Sequence, residues 1–170
     1  MGDRFCALIG RDEHSGLERA PLSRYPLLPE RATGRRGAVT EALDALIAYR
    51  AACAEEAIRD ARVLAEAGGF RACVNRLYYA CFYAVSAVLI RKGLSSPRHT
   101  GVRSLFNQHF VMPGVISKDV AAIFNDLFER RHQGDYADFS AFTKEHVIPW
   151  TGQASVLVRT VLARATIIDI

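Results

Sequence analysis

The sequence predicts an all-α fold, an antiparallel bundle of four to five helices. Three observations lead there. From about residue 38 onward, apolar side chains recur at intervals of three and four, the period of a helix with one buried face. Glycine, proline and serine break those runs into segments of helix length. No stretch keeps the strict alternation of a half-buried strand. With 170 residues, half of them hydrophobic, one domain of this size can close a core, and short links between the segments favour antiparallel neighbours.

Residues 1–37 read differently from the rest. They hold Pro21, Pro26 and Pro29, Gly34 and Gly37, and seven arginines against five acids, with no traceable period. A disordered or loosely attached leader is expected there, and a helical domain over residues 38–170. Its first helix spans about Val39 to Ala67, with Val39, Leu43, Leu46, Ile47, Ala54, Ile58, Ala61 and Ala65 as its stripe and Gly68-Gly69 as its stop. The second spans about Phe70 to Lys92 and stops at Gly93. Val74, Leu77, Tyr78, Cys81, Val85 and Val88 line one side, and Asn75, Tyr79, Phe82 and Ser86 form a second, semi-polar aromatic side. A helix buried from two directions is either central or part of a dimer interface.

Ser96-Pro97 supplies an N-cap and first-turn pair for a third helix running to about Phe110, and Met112-Pro113-Gly114 ends it. Ser117 caps a fourth helix with Asp119 in its first turn and Val120, Ile123, Phe124, Leu127 and Phe128 on one face. This helix is expected to stop at Gly134, leaving residues 135–139 as a turn. Pro149 falls inside the last segment, about Thr143 to Ile167, which implies either a separate turn up to Ile148 or a kink.

The charge is +4 in sum, but its distribution is uneven. No acid occurs between Glu66 and Asp119, where Arg71, Arg76, Arg91, Lys92, Arg98, Arg103 and Lys118 all lie. Either one region of the fold is electropositive and suits a phosphate-bearing partner, or carboxylates from other helices balance it in space. Cys6, Cys53, Cys73 and Cys81 show no metal-ligand spacing, so reduced, buried thiols are expected and no structural metal or cofactor. No run of 18 apolar residues occurs and the N-terminus lacks a secretory apolar core, so the expectation is a cytoplasmic protein with no membrane partner.

The order of motifs resembles the HEPN family. Arg71-x-x-Val74-Asn75-Arg76-x-Tyr78-Tyr79-Ala80-x-Phe82 is followed by Lys92-Gly93-Leu94, His99-x-Gly101-Val102, Phe110-Val111 and Arg131-His132-Gln133-Gly134-Asp135-Tyr136. The resemblance covers roughly residues 40 to 165. It implies a helical bundle that homodimerises, with the motif of the fourth helix at a cleft between protomers. It also implies a toxin-like role beside a minimal nucleotidyltransferase acting as antitoxin, and metal-independent ribonuclease activity. In such enzymes an Arg is followed after four to six residues by a His, a cation for the scissile phosphate and a group that exchanges protons near neutral pH. Here Asp135 stands four residues after Arg131, in an Arg-x3-Asp-Tyr arrangement, and no His occupies that offset.

The residues singled out on this basis are Arg131 and Asp135 for catalysis, and Asn75, Arg76 and His99 for substrate phosphate. Tyr79 is expected to line the site, and the resemblance makes Tyr136 a target for nucleotidylation by the partner. Each has a plainer alternative. Asn75 and Arg76 could form a buried polar network with Arg131 and Asp135 that only fixes helix packing. His99 could be a capping or surface residue, and the tyrosines could be core aromatics or, at Tyr136, an ordinary turn residue. Arg103 and His109 match the Arg-x5-His spacing by chance alone. Two function classes follow: an enzyme acting on RNA, and a non-catalytic dimeric module that binds a nucleotide, RNA or a partner protein.

Overall fold

The computed structural model describes residues 35–136 and 142–167, with side chains described over 37–131 and 142–165. All of them belong to one compact unit, Thr33–Ile170. The leader expected at residues 1–37 lies almost entirely outside the described residues.

Five α-helices follow in order: α1 (Arg35–Glu66), α2 (Phe70–Arg91), α3 (His99–Phe106), α4 (Lys118–Tyr136) and α5 (Lys144–Ile167). No strand occurs among the described residues. The helix α2 is central, packing against each of the other four. Eleven of its residues are buried, among them Val74, Leu77, Tyr78, Cys81, Val85 and Val88, the stripe expected from its period. By length and composition α2 could cross a membrane, yet 67% of its most apolar window is buried inside the bundle, so the core accounts for its hydrophobicity.

Glycines end the first two helices as the sequence suggests. Gly68 (φ 77°) and Gly93 (φ 71°) adopt left-handed backbone, which only glycine enters without a steric cost. The amides of Gly69 and Leu94 then reach back to the carbonyls of Leu64 and Leu89, each at 2.8 Å. This wrap satisfies carbonyls that the helix end would leave open.

Two local expectations are corrected. The third helix begins at His99 rather than Pro97, with Arg98 in extended backbone before it. The Ser96 hydroxyl is used in the preceding turn, where it accepts from the Arg98 amide at 3.2 Å. After Phe106 the chain widens into a π-helical turn over Asn107–Val111. The fourth helix does not stop at Gly134: its backbone runs on to Tyr136, because glycine weakens a helix interior by only about 1 kcal/mol. Its start is as expected, with the Val120 amide 3.4 Å from the Ser117 hydroxyl. The last helix passes through Pro149 as one element. The proline sits near the N-terminal end, where few backbone bonds precede it.

Cys73 and Cys81 are buried free thiols and Cys53 is half-buried; burial pushes the first two up from the ordinary thiol range. Cys6 lies outside the described residues.

Candidate functional site

Asn75, Tyr78, Tyr79 and Phe82 follow one another along α2 at the spacing of a single helix face, and the rim of the bundle is built on them. Tyr78 is fully buried. Its ring stacks on Phe124 (centroids 6.0 Å apart, planes at 11°) and meets Phe128 edge-on at 6.1 Å, so α4 fixes it from below. Its hydroxyl lies 2.7 Å from Nδ1 of His99. Burial pushes the phenol up to about 12, partly opposed by the charge and hydrogen bond of Arg131, and it is therefore neutral at physiological pH.

The bond between Tyr78 and His99 runs in either direction according to the His99 tautomer. The Arg131 Cζ lies 5.1 Å from the ring centre of Tyr78 and 5.2 Å from that of Tyr79, within cation–π range of both. The imidazole of His99 stacks on Phe82 at 4.5 Å and meets Tyr79 edge-on at 6.2 Å. An arginine from α4, two tyrosines from α2 and a histidine from the start of α3 thus form one continuous cluster.

Gly101 is what lets the α3 turn lie so close. A Cβ there would overlap the Ser96 hydroxyl and stand 2.9 Å from the Ser96 Cβ, so any side chain would push the turn carrying His99 outward. This explains the glycine of the His99-x-Gly101 motif.

Beside the cluster is an open cleft of about 220 Å³ lined by Arg71, Ala72, Val74, Asn75, Arg130, Arg131 and Phe142. The Arg130 guanidinium lies 4.1 Å over the ring of Trp150, which meets Phe142 edge-on at 5.8 Å and stacks with His146 at 5.7 Å. Asn75 is exposed, so it is not part of a buried polar network. Arg76 does not line this cleft and forms a half-exposed ion pair with Asp60 of α1 at 3.7 Å. Asp135 stands one helical turn after Arg131 on the α4 backbone; its side chain and that of Tyr136 lie outside the described residues.

The acid-free stretch turns out to be partly balanced in space. Arg76, Arg91 and Arg103 pair with Asp60, Asp44 and Glu129, carboxylates carried by α1 and α4. Arg103 also lies 4.1 Å over Phe128, which commits it to packing and removes it from the chance match with His109. Among the described residues no carboxylate forms an ion pair with Arg71, Arg130 or Arg131, and all three line the cleft. No group of three His, Cys, Asp or Glu side chains is gathered as a metal site among the described residues.

Of the residues singled out in the sequence, Arg131, Tyr79 and His99 share one cluster and Asn75 lines the adjoining cleft. Sequence reasoning did not single out Arg71, Arg130, Phe142 or Trp150. The spacing of Arg71 and Asn75, one turn apart on the motif helix, was a usable signal; nothing local links Trp150 to Arg130.

A family model described as "HEPN domain" matches residues 49–164. A UPF0332 protein of Thermotoga maritima is 40% identical over 109 residues, which span 64% of this chain and 83% of that protein. "Putative toxin MJ0605" of Methanocaldococcus jannaschii is 34% identical over 98 residues, 58% of this chain and 70% of the relative. A second protein of that organism, "Putative toxin MJ0142", is 30% identical over 63 residues, covering 37% of this chain and 43% of the relative.

Proposed function

This chain belongs to the HEPN family, and from that premise we propose that it is a toxin-like protein whose Arg131, Tyr78 and His99 act on a phosphodiester of RNA. One observation carries the reading: an arginine and a histidine from different helices meet on the same buried tyrosine, Arg131 within cation–π range of its ring at 5.1 Å and His99 in hydrogen-bond contact with its hydroxyl at 2.7 Å. The sequence lacks the expected motif histidine on α4, and in this reading His99, from the start of α3, supplies the imidazole beside Arg131.

In this reading Arg131 neutralises the scissile phosphate, and the imidazole system exchanges protons near neutral pH. The 2′-oxygen gives up its proton and bonds to phosphorus, the bond to the 5′-oxygen breaks, and that oxygen takes a proton. A 2′,3′-cyclic phosphate and a 5′-hydroxyl result. No step calls on a cofactor. Asp135, at the family's motif position, is a second proton acceptor. Its unperturbed range near pKa 3.9 makes it a base rather than an acid at neutral pH.

We extend the proposal to the assembly. The chain homodimerises with the Arg131 clefts facing one another, and a minimal nucleotidyltransferase neutralises it by nucleotidylating Tyr136. The names of two relatives, each "Putative toxin", support the toxin-like reading.

The test is incubation of purified protein with RNA in excess chelator, with end-group analysis. Wild-type protein should leave cyclic phosphate ends, and Arg131→Ala or His99→Ala should lower the rate by about a hundredfold or more. A rate unchanged by both substitutions would refute the site. One observation favours the second function class, a non-catalytic binding module: the His99 ring is held on Phe82 at 4.5 Å, as a packing residue would be. That module predicts saturable RNA binding, lost in Arg131→Ala, with no cleavage.

A further inference from the structure

We infer that the cleft between Arg71 and Phe142 is a second phosphate subsite, which holds the phosphate of the nucleotide next to the one engaged by Arg131 in a single RNA strand. The inference rests on the RNA reading above and gives it a substrate register.

Three arginines, Arg71, Arg130 and Arg131, line one space of about 220 Å³. Among the described residues, no carboxylate pairs with any of them. Like charges gathered together repel, and an anion in the cleft lowers that cost.

Arg130 is preorganised for such an anion. Trp150 covers one face of its guanidinium at 4.1 Å. Stacking takes up a face and leaves the terminal in-plane N–H groups, which suit phosphate oxygens. Arg71 is exposed on the first turn of α2, one turn before Asn75, and supplies a second cation.

Phe142 gives the cleft a nucleic-acid character beyond charge. It is half-buried, pinned edge-on to Trp150 at 5.8 Å, and still lines the cleft, so a ring is available for a base to stack on. Arg131 belongs to this cleft and to the Tyr78–His99 cluster alike. The two subsites are therefore contiguous, and a chain with successive phosphates bridges them.

The experiment measures binding of a dinucleotide blocked by 2′-O-methylation, with and without an added terminal phosphate at either end, to the full chain. The added phosphate should tighten binding about tenfold at one end, the scale of a charge-assisted bond. Arg71→Ala and Arg130→Gln should each bring that gain close to unity, with affinity for the unphosphorylated probe changed less than about twofold. Arg71 is exposed, so its replacement leaves the packing intact even if Arg130→Gln loosens α5. Equal affinity for all probes, or a gain that persists in both variants, would overturn the subsite. A wild-type protein that shows the gain but never cleaves RNA would overturn the catalytic reading and leave the subsite standing.

Discussion

Replacing Tyr78 by Phe removes one oxygen from the centre of the site and leaves the ring in place. That oxygen is hydrogen-bonded to His99 Nδ1 at 2.7 Å. A hydrogen bond contributes about 1 kcal/mol net, so losing it should cost about that much. The packing of the ring on Phe124 and Phe128 is retained; deleting it as well, in Tyr78→Ala, should raise the cost to about 3–5 kcal/mol. For a helical unit of this size the Phe variant should melt roughly 3–7 °C lower. The functional loss should be larger than the structural one. His99 loses the partner that sets its tautomer and ring orientation, and groups in that orienting position are typically worth roughly 10- to 100-fold. The turnover rate for RNA in chelator should fall by about that factor, with KM within about twofold. Imidazole nitrogen NMR should show a single His99 tautomer in the wild type and a mixture of tautomers in the variant. Unchanged turnover together with an unchanged tautomer would refute the reasoning.

Gly101→Ala should lower stability by about 1–3 kcal/mol, the usual cost of forcing atoms into a filled space, because its methyl group meets Ser96; Ser96→Gly in the same chain should restore part of the melting temperature, and no rescue would argue that the strain lies elsewhere. The Tyr78 phenol is raised from 10.0 to about 12 in the folded chain. The native state therefore holds this proton more tightly, and the stability it contributes is complete below pH 10 and lost as pH rises from there toward 12. That loss is about 2–3 kcal/mol, and alkaline unfolding followed by tyrosinate absorbance should be less steep in Tyr78→Phe; identical curves would contradict the assignment. Cys81 is fully buried with a raised thiol, while Cys53 is half-buried, so under native conditions an alkylating reagent should modify Cys53 and reach Cys81 only on unfolding, as peptide mass mapping would show.

Helix periodicity made most of the bundle legible before any coordinates, because the core stripe of each helix is a local pattern. The stripe from Val74 to Val88 on α2 and the one from Val120 to Phe128 on α4 needed only the 3.6-residue repeat. Helix ends were less readable where one residue type serves two purposes. Ser96-Pro97 looks like a helix start, yet the hydroxyl is spent one turn earlier, and Gly134 looks like a stop although a glycine can be carried inside a helix. The site divides in the same way. Arg131, Asn75, Tyr79 and His99 were legible because they sit in motifs whose order is recognisable. The partition of arginines into paired and unpaired ones was not, since Arg91 finds Asp44 across 47 residues and Arg103 finds Glu129 across 26. Such ion pairs depend on helix packing and leave no trace in local sequence. The stacking of Arg130 on Trp150 was hidden for the same reason.

The central claim is that Arg131 and His99 work as one unit through Tyr78, and a double-mutant cycle on RNA cleavage in chelator tests it most directly. Arg131→Ala and His99→Ala should each lower the rate about a hundredfold, and the double variant should be little worse than the poorer single one, because groups that act together cannot be lost twice. Losses that multiply, or a His99→Ala variant that cleaves as the wild type does, would contradict the account.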